Sequence, residues 1–140
     1  SEMCIRDRSS ANGVPVGLLV RGNCSLVTGI PGVSDTICIN GIIDRYLEHS
    51  RIFIFAAGGE DKTFIGSADW MPRNLDNRVE VITPVYDAQI KADLRKVIEF
   101  GLRDNCQGSI VDGSGENRSW TTESDVPFRS QEELYKSYKE

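Results

Sequence analysis

The sequence predicts an α/β fold in which a mixed β-sheet is flanked by helices. Short apolar runs at 14–21 and 51–56 are typical of buried strands, and apolar residues between 90 and 102 recur at helical spacing. The run at 51–56 is followed by the turn sequence Gly-Gly-Glu-Asp at 58–61 and by a second strand-like run at 63–67. A hairpin among helix-linked strands indicates a sheet with both parallel and antiparallel pairs.

In the first half of the chain, strands alternate with irregular connections. Residues 14–21 predict a strand, and residues 22–35 predict a loop because glycine, proline and serine interrupt them. A short strand is expected over 36–40. Apolar residues at helical spacing then predict a short helix over 41–48.

The second half contains the longest predicted helix. Residues 69–75 predict one or two helical turns, and residues 78–82 predict a strand. Asp87 is placed to cap the long helix that carries the apolar stripe. A last short strand is expected over 109–112, and the Ser-Gln-Glu-Glu sequence at 130–133 resembles a capping box that opens a terminal helix.

The length of 140 residues predicts one domain or part of one. Residues 1–11 show neither periodicity nor the apolar stretch of a signal peptide, so we expect a non-native or disordered segment there and assign the domain to residues 12–140. The four cysteines are scattered, with no Cys-x-x-Cys motif and no pairing with histidine. This pattern favours reduced thiols and a cytoplasmic location.

The formal net charge of −5 argues against nucleic-acid binding through the overall field of the protein. A polyanion can still bind where a few arginines focus their charge in one cleft. No apolar run approaches the roughly 20 residues that a membrane-spanning helix needs. The acidic side chains are too dispersed along the chain to predict a metal site.

Polar residues stand at the predicted strand ends, and several are two positions apart, so that their side chains point to the same side. His49 and Arg51 form one such pair at the start of the strand over 51–56. Arg78 and Glu80 form another at the start of the strand over 78–82. Arg21 ends the first strand, just before the glycine-rich loop.

These residue types suit phosphate chemistry. His49 is the only histidine, and an imidazole with a pKa of about 6.5 can carry a proton or donate to a phosphoryl group; a purely structural histidine is the alternative. Arg21, Arg51 and Arg78 can each bind phosphate oxygens with two N–H groups; ordinary ion pairing is their alternative. Glu80 can orient Arg78 or exchange protons with His49, and a simple salt bridge is again the alternative.

Several short motifs, in this order and at this spacing, resemble one protein family. They are Arg-Gly at 21–22, Gly-Ile-Pro-Gly-Val-Ser-Asp at 29–35, Arg-Tyr-Leu-Glu-His-Ser-Arg at 45–51, Gly-Gly at 58–59, Phe-Ile-Gly-Ser-Ala-Asp-Trp-Met at 64–71, Arg-Asn-Leu-Asp at 73–76 and Arg-Val-Glu-Val at 78–81. Together they resemble the second C-terminal, phospholipase-D-like domain of the polyphosphate kinases. The resemblance covers about residues 14–105, and it implies a domain that is incomplete at its N-terminus.

The resemblance implies reversible transfer of the terminal phosphate of ATP to inorganic polyphosphate through a phosphohistidine that lies in another domain. Arg21 matches an ATP-binding arginine, and His49 matches an essential histidine that faces the phosphohistidine and contacts nucleotide. Arg78 and Glu80 match further active-site positions. ATP or ADP would be the substrate, and the ligands of Mg²⁺ would lie in the first C-terminal domain, so the isolated chain is expected to be inactive.

The implied partners are polyphosphate, ATP, the remaining domains of the same enzyme and further copies of it, with peripheral membrane association as an additional expectation and no nucleic acid. Two alternatives stay open. A phospholipase-D-type phosphodiesterase uses His-x-Lys and Gly-Ser-x-Asn, whereas this chain has His49-Ser-Arg51 and Gly66-Ser-Ala-Asp69. The other alternative is a non-catalytic module that binds polyphosphate or another anion.

Overall fold

The α/β fold class is confirmed by a computed structural model, which describes residues 9–139 apart from 11, 23, 117 and 122–125. Of the segment 1–11, only Ser9 and Ser10 are among these residues, so the prediction for that segment falls largely outside them. The elements are β1 Val16–Val20, β2 Ile37–Ile42, β3 Ile52–Phe55, β4 Lys62–Gly66, α1 Pro72–Leu75, β5 Ile82–Val85, α2 Ala88–Arg103, β6 Gly108–Ile110 and α3 Ser130–Ser137.

The strands form two three-stranded sheets instead of the single mixed sheet that was predicted. The chain divides into two compact units: unit 1 comprises Ser1–Leu47 and Glu99–Glu140, and unit 2 comprises Glu48–Ile98. Each unit contains one of the sheets. The hairpin that suggested antiparallel pairing within one sheet belongs to a sheet of its own in unit 2.

The sheet of unit 1 is mixed, because β2 pairs parallel to β1 on one side and antiparallel to β6 on the other. Its core consists of Leu26, Ile37 and Ile39, and apolar residues of β1 pack against them. The end of α2 approaches this sheet closely: Asn40 Nδ2 donates to Gly101 O at 3.0 Å. A Cβ atom at Gly101 would lie 2.5 Å from Leu19 Cδ1, so a larger residue there would require the Leu19 side chain to move.

The predicted helix over 41–48 is wrong. Gly41 and Ile42 continue β2, because they pair with Ser109 and Gly108 of β6. The following residues stay irregular since their polar groups are bonded to the distant segment around α3. Tyr46 N–H donates to Gln131 Oε1 at 2.9 Å, and Gln131 Nε2 donates to Tyr46 O at 2.9 Å.

The sheet of unit 2 contains the predicted hairpin, with β3 antiparallel to β4 in the register Phe53–Phe64. β5 adds to the other side of β4 as an edge strand. Pro84 lies in β5 opposite Phe64, which is acceptable because an edge strand does not need every backbone N–H for pairing.

The strand predicted over 78–82 begins later, at Ile82. The register sets this start: Gly66, the last residue of β4, lies opposite Ile82. One step further, Ser67 N–H donates to Val81 O at 3.0 Å, but Val81 N–H donates to the hydroxyl of Ser67 at 3.1 Å instead of to a carbonyl. The side chain of Ser67 thus ends the ladder, and Arg78 and Glu80 lie in the connection that precedes β5.

The long helix is confirmed as α2, and Asp87 caps it: the backbone N–H of Ile90 donates to Asp87 Oδ1 at 2.9 Å. The terminal helix is confirmed as α3, but the capping box is not. Helix α3 begins at Ser130, and the Ser130 hydroxyl donates to Asp104 at 2.7 Å instead of accepting from the first helical turn.

Cys24, Cys38 and Cys106 are free thiols, while Cys4 lies outside the described residues. Among the described residues, no helix combines the length and the apolar composition that crossing a membrane requires.

Candidate functional site

His49 and Arg51 are in direct contact at the start of β3. Arg51 Nη2 lies 3.0 Å from His49 Nε2, and Arg51 Nη1 donates to the backbone oxygen of His49 at 3.2 Å. A guanidinium can only donate hydrogen bonds, so Nε2 must be the acceptor. With Nε2 as the acceptor, Nδ1 is the ring nitrogen left to donate, and the His49 side chain is exposed.

Asp69 holds the other edge of the Arg51 guanidinium. Arg51 Nε donates to Asp69 Oδ1 at 2.8 Å, across 18 positions of sequence. This hydrogen bond, helped by the positive charges of Arg51 and Arg73, lowers the pKa of Asp69 from its ordinary value of 3.8. Asp69 is therefore an anion at neutral pH, and it fixes the plane of the guanidinium that contacts the imidazole.

An aromatic pair holds the segment that carries Asp69. The Trp70 ring stacks on Phe53 of β3 with a centroid distance of 5.5 Å and an interplanar angle of 17°. On the other side of Asp69, Ala68 is 1% exposed. Asp69 is thus bracketed by two residues that are anchored in the unit, which restricts where its carboxylate can lie.

Glu80 has a second set of partners. Its Oε2 accepts from the hydroxyl of Ser67, and its Oε1 accepts from Asn74 Nδ2 at 2.9 Å. These two hydrogen bonds are the largest causes of a lowered Glu80 pKa, and the charges of Arg78 and Arg51 lower it further. A carboxylate with a lowered pKa is ionised at neutral pH, so Glu80 carries a negative charge there.

The sequence-predicted residues are therefore only partly brought together. His49 and Arg51 touch, whereas Glu80 bonds to Ser67 and Asn74 and not to His49 or Arg78. Arg78 is exposed and makes no hydrogen bond or ion pair with any described residue. Its charge nevertheless reaches Glu80, as the lowered pKa shows.

Arg21 is exposed and lies in unit 1, so its participation in this site stays a prediction. Sequence reasoning missed Asn74 as a site residue. The available signal was an asparagine, a residue of low helix propensity, inside the predicted helical turns at 69–75. It also missed Asp69 as the acid that pairs with Arg51, because the two residues lie 18 positions apart in the sequence.

Comparison with known proteins places these residues in a family. The family model "Polyphosphate kinase C-terminal domain 2" matches residues 6–131, which is most of the chain. The chain belongs to the polyphosphate kinase family. The resemblance inferred from the motifs is thereby confirmed, and the match extends beyond the span at which those motifs lie.

Curated polyphosphate kinases support the same assignment. The chain is 46% identical over 110 residues to the polyphosphate kinase of Escherichia coli (strain K12). This alignment covers 79% of this chain and 16% of that protein. It is 46% identical over 131 residues to polyphosphate kinase 1 of Chlorobaculum tepidum, covering 92% of this chain and 18% of that protein. The chain thus spans less than one fifth of the length of these relatives.

A solved structure agrees with the fold as a whole. The crystal structure of polyphosphate kinase from Porphyromonas gingivalis matches with a TM-score of 0.92 at 39% identity. That match covers 99% of this chain and 21% of the other. The chain therefore has the fold of a polyphosphate kinase segment.

The described residues offer no group of three or more histidine, cysteine, aspartate or glutamate side chains that could hold a metal ion. The two carboxylates of the site are already committed to protein donors, Asp69 to Arg51 and Glu80 to Ser67 and Asn74. These residues therefore do not fit a magnesium ion.

Proposed function

We propose that this chain is the part of a polyphosphate kinase that steadies the phosphoryl group while it passes between ATP and inorganic polyphosphate. The observation that carries the proposal is the contact of 3.0 Å between Arg51 and His49, with Arg51 locked by Asp69. The phosphohistidine and the ligands of Mg²⁺ would come from parts of the enzyme outside this chain, and Arg21 would bind ATP.

Phosphoryl transfer requires positioning and neutralisation of the charge on the moving group more than it requires covalent help. In its neutral form His49 can donate Nδ1–H to a phosphoryl oxygen, and the charge of Arg51 beside it attracts the anion. Arg78, exposed and without a partner among the described residues, is available to bind a second oxygen. Three basic side chains would then meet a substrate that is itself a polyanion.

Glu80 has a different role in this proposal. Hydrogen bonds from Ser67 and Asn74 lower its pKa, so in this proposal Glu80 is an anion at neutral pH. A carboxylate near Arg51 and Arg78 attracts both guanidinium groups and keeps them at the site when no substrate is present. We therefore assign the hydrogen bond to the transferred phosphoryl group to His49 and orientation of the arginines to Glu80.

The decisive experiment replaces His49 in the intact enzyme. His49→Ala should lower the rate of ATP-dependent polyphosphate synthesis by at least about 100-fold, as for the loss of a preorganised hydrogen-bond donor at the reacting group. Polyphosphate binding, measured by filter retention, should change little because the arginines remain. Glu99→Ala, at an exposed position of α2, is the matched surface control and should behave as the wild type.

Near-wild-type turnover of His49→Ala would remove His49 from the mechanism. A wild-type enzyme that binds polyphosphate without turning it over would favour the anion-binding module, and hydrolysis of a phosphodiester would favour the phospholipase-D alternative. The 140-residue chain alone is expected to make no polyphosphate, and labelled polymer from the purified chain would contradict the assignment of the phosphohistidine to another part of the enzyme.

A further inference from the structure

Each oxygen of the Glu80 carboxylate accepts a hydrogen bond from a side chain in a different segment of the chain. Ser67, directly after β4, donates its hydroxyl to Oε2, and Asn74 of α1 donates its amide to Oε1 at 2.9 Å. Two donors on two oxygens fix both the position and the plane of the carboxylate. The function proposed above uses Ser67 and Asn74 only as the donors that lower the pKa of Glu80.

The hydroxyl of Ser67 has only one direction in which it can donate. Its oxygen already accepts the backbone N–H of Val81 at 3.1 Å, and the backbone N–H of Ser67 donates to Val81 O at 3.0 Å. Because a serine hydroxyl has a single hydrogen, that hydrogen is the one that bonds Glu80. The sheet pairing therefore aims the hydroxyl at Glu80.

The buried side chain of Asn74 lowers the stability of the fold through its unpaired amide oxygen. Its side chain is 2% exposed, and its Oδ1 is buried with no hydrogen-bond partner among the described residues. A buried, unpaired amide oxygen is unfavourable for folding, so a purely structural role would be better filled by an apolar residue. The contact that the amide does make is with Glu80, and this contact explains why a polar side chain is present.

The charged groups around Glu80 come from each neighbouring element. Arg51 precedes β3, and Arg78 precedes β5; the charges of both favour the ionised carboxylate. Asp69, which follows β4, is paired with Arg51. Arg73 on α1 contributes its charge to Asp69.

We propose that Ser67 and Asn74 are positioning residues, which hold the Glu80 carboxylate in the position and the plane that phosphoryl transfer requires. This inference rests on the function proposed above. It predicts that both residues affect turnover through Glu80 alone. A merely structural role would instead lower the amount of folded enzyme and leave the kinetics of the folded fraction unchanged.

The test uses the intact enzyme with polyphosphate synthesis as the readout. Ser67→Ala and Asn74→Ala should each lower kcat by roughly 10-fold, less than the about 100-fold loss that a displacement of 1 Å at a reacting group can cause. Without one donor the Glu80 pKa rises, so the acidic limb of the pH–rate profile should move to higher pH. Thr83→Ala and Asn77→Ala, which delete the same functional groups at exposed positions, should leave rate and profile unchanged.

A double-mutant cycle with Glu80→Gln separates action through Glu80 from any other effect. In the Glu80→Gln background, Ser67→Ala should cause no more than about a twofold further loss. If the alanine variant folds poorly, the isosteric pair Ser67→Thr and Ser67→Val decides the question: the threonine keeps the hydroxyl and should restore the wild-type profile, whereas the valine should not.

Two outcomes would overturn the inference: a wild-type pH profile in both alanine variants, or losses that are fully additive with Glu80→Gln. If that happens while His49→Ala still abolishes synthesis, the proposed function stands and only the role of Ser67 and Asn74 fails. If His49→Ala is fully active, the proposed function itself fails, so the two failures are distinguishable.

Discussion

Asp104 accepts two hydrogen bonds from Ser130, one from the backbone N–H at 2.8 Å and one from the hydroxyl at 2.7 Å, both at Oδ2. Its Oδ1 accepts the backbone N–H groups of Cys106 and Gln107 at 3.0 and 2.7 Å. Asp104 is fully buried, at 0% exposure. One carboxylate thus fixes the turn after α2 and the first residue of α3 within unit 1.

Asp104→Asn tests the contribution of these four hydrogen bonds to stability, because the side chain keeps nearly the same shape. The amide has one acceptor oxygen where the carboxylate has two, so some of the four donors lose their partner. We expect the free energy of unfolding to fall by about 2–3 kcal/mol, as for buried hydrogen bonds to a charged group. Urea denaturation measures the change, with the exposed Glu99→Gln as control; equal unfolding midpoints for both variants would contradict the prediction.

Gly108 should not accept even a methyl group. A Cβ atom there would lie 2.3 Å from the backbone oxygen of Asp104 and 2.7 Å from Asn40 Oδ1. Gly108→Ala should therefore destabilise the chain by about 1–3 kcal/mol, the usual cost of overpacking. Gly17→Ala is the matched control, because its nearest neighbour would be Leu102 at 3.6 Å, an ordinary contact. Its thermal midpoint should be close to that of the wild type, and a similar loss in both variants would refute the steric argument.

Acid should weaken the ion pair between Asp44 and Arg129. Arg129 Nε lies 2.9 Å from Asp44 Oδ2, and this side-chain hydrogen bonding is the main cause that lowers the pKa of Asp44 from its ordinary value of 3.8. A lowered folded-state pKa means that the stabilisation is present in full above 3.8 and is lost as the pH falls through the folded value. Asp44→Asn should therefore be less stable than the wild type at neutral pH, with the difference shrinking in acid.

Urea unfolding at a series of pH values, from neutral to strongly acidic, measures this difference. Asp76→Asn, at an exposed position, is the control and should follow the wild-type curve throughout. A gap between Asp44→Asn and the wild type that stays constant at all pH values would show that Asp44 does not contribute through its charge.

Arg51 should not be replaceable by lysine. Its three nitrogens bond Asp69 Oδ1, His49 O and His49 Nε2 at once, and a lysine ammonium cannot reproduce that planar geometry. In the intact enzyme, Arg51→Lys should lower kcat by roughly 10- to 100-fold, as a misplaced imidazole would. Arg95→Lys, which retains a cation for the exposed ion pair with Asp61, should keep full activity. Equal rates for the two variants would mean that charge alone matters at position 51.

The parts of the fold that were predictable are those with local causes. Helix α2 carries its apolar stripe and its cap at Asp87 within one stretch of chain, and the β3–β4 hairpin has its turn between its strands. The contact of His49 with Arg51 was predictable for the same reason, since the two residues are two positions apart. Two other contacts were not predictable: the hydrogen bond of Arg51 to Asp69 and that of Asn74 to Glu80. In each of them the fold must first bring together side chains that are distant in the sequence.

By itself, the sequence determined the family, through motifs that occur in a set order, and it determined the elements whose hydrogen bonds close within a few residues. Only the tertiary structure decided that 41–42 extend β2 instead of opening a helix, because Ser109, 68 positions away, bonds to Gly41. It likewise decided that Ser130 bonds to Asp104, 26 positions away, instead of capping its own helix. In both places a distant partner satisfies polar groups for which the local pattern offered a weaker alternative.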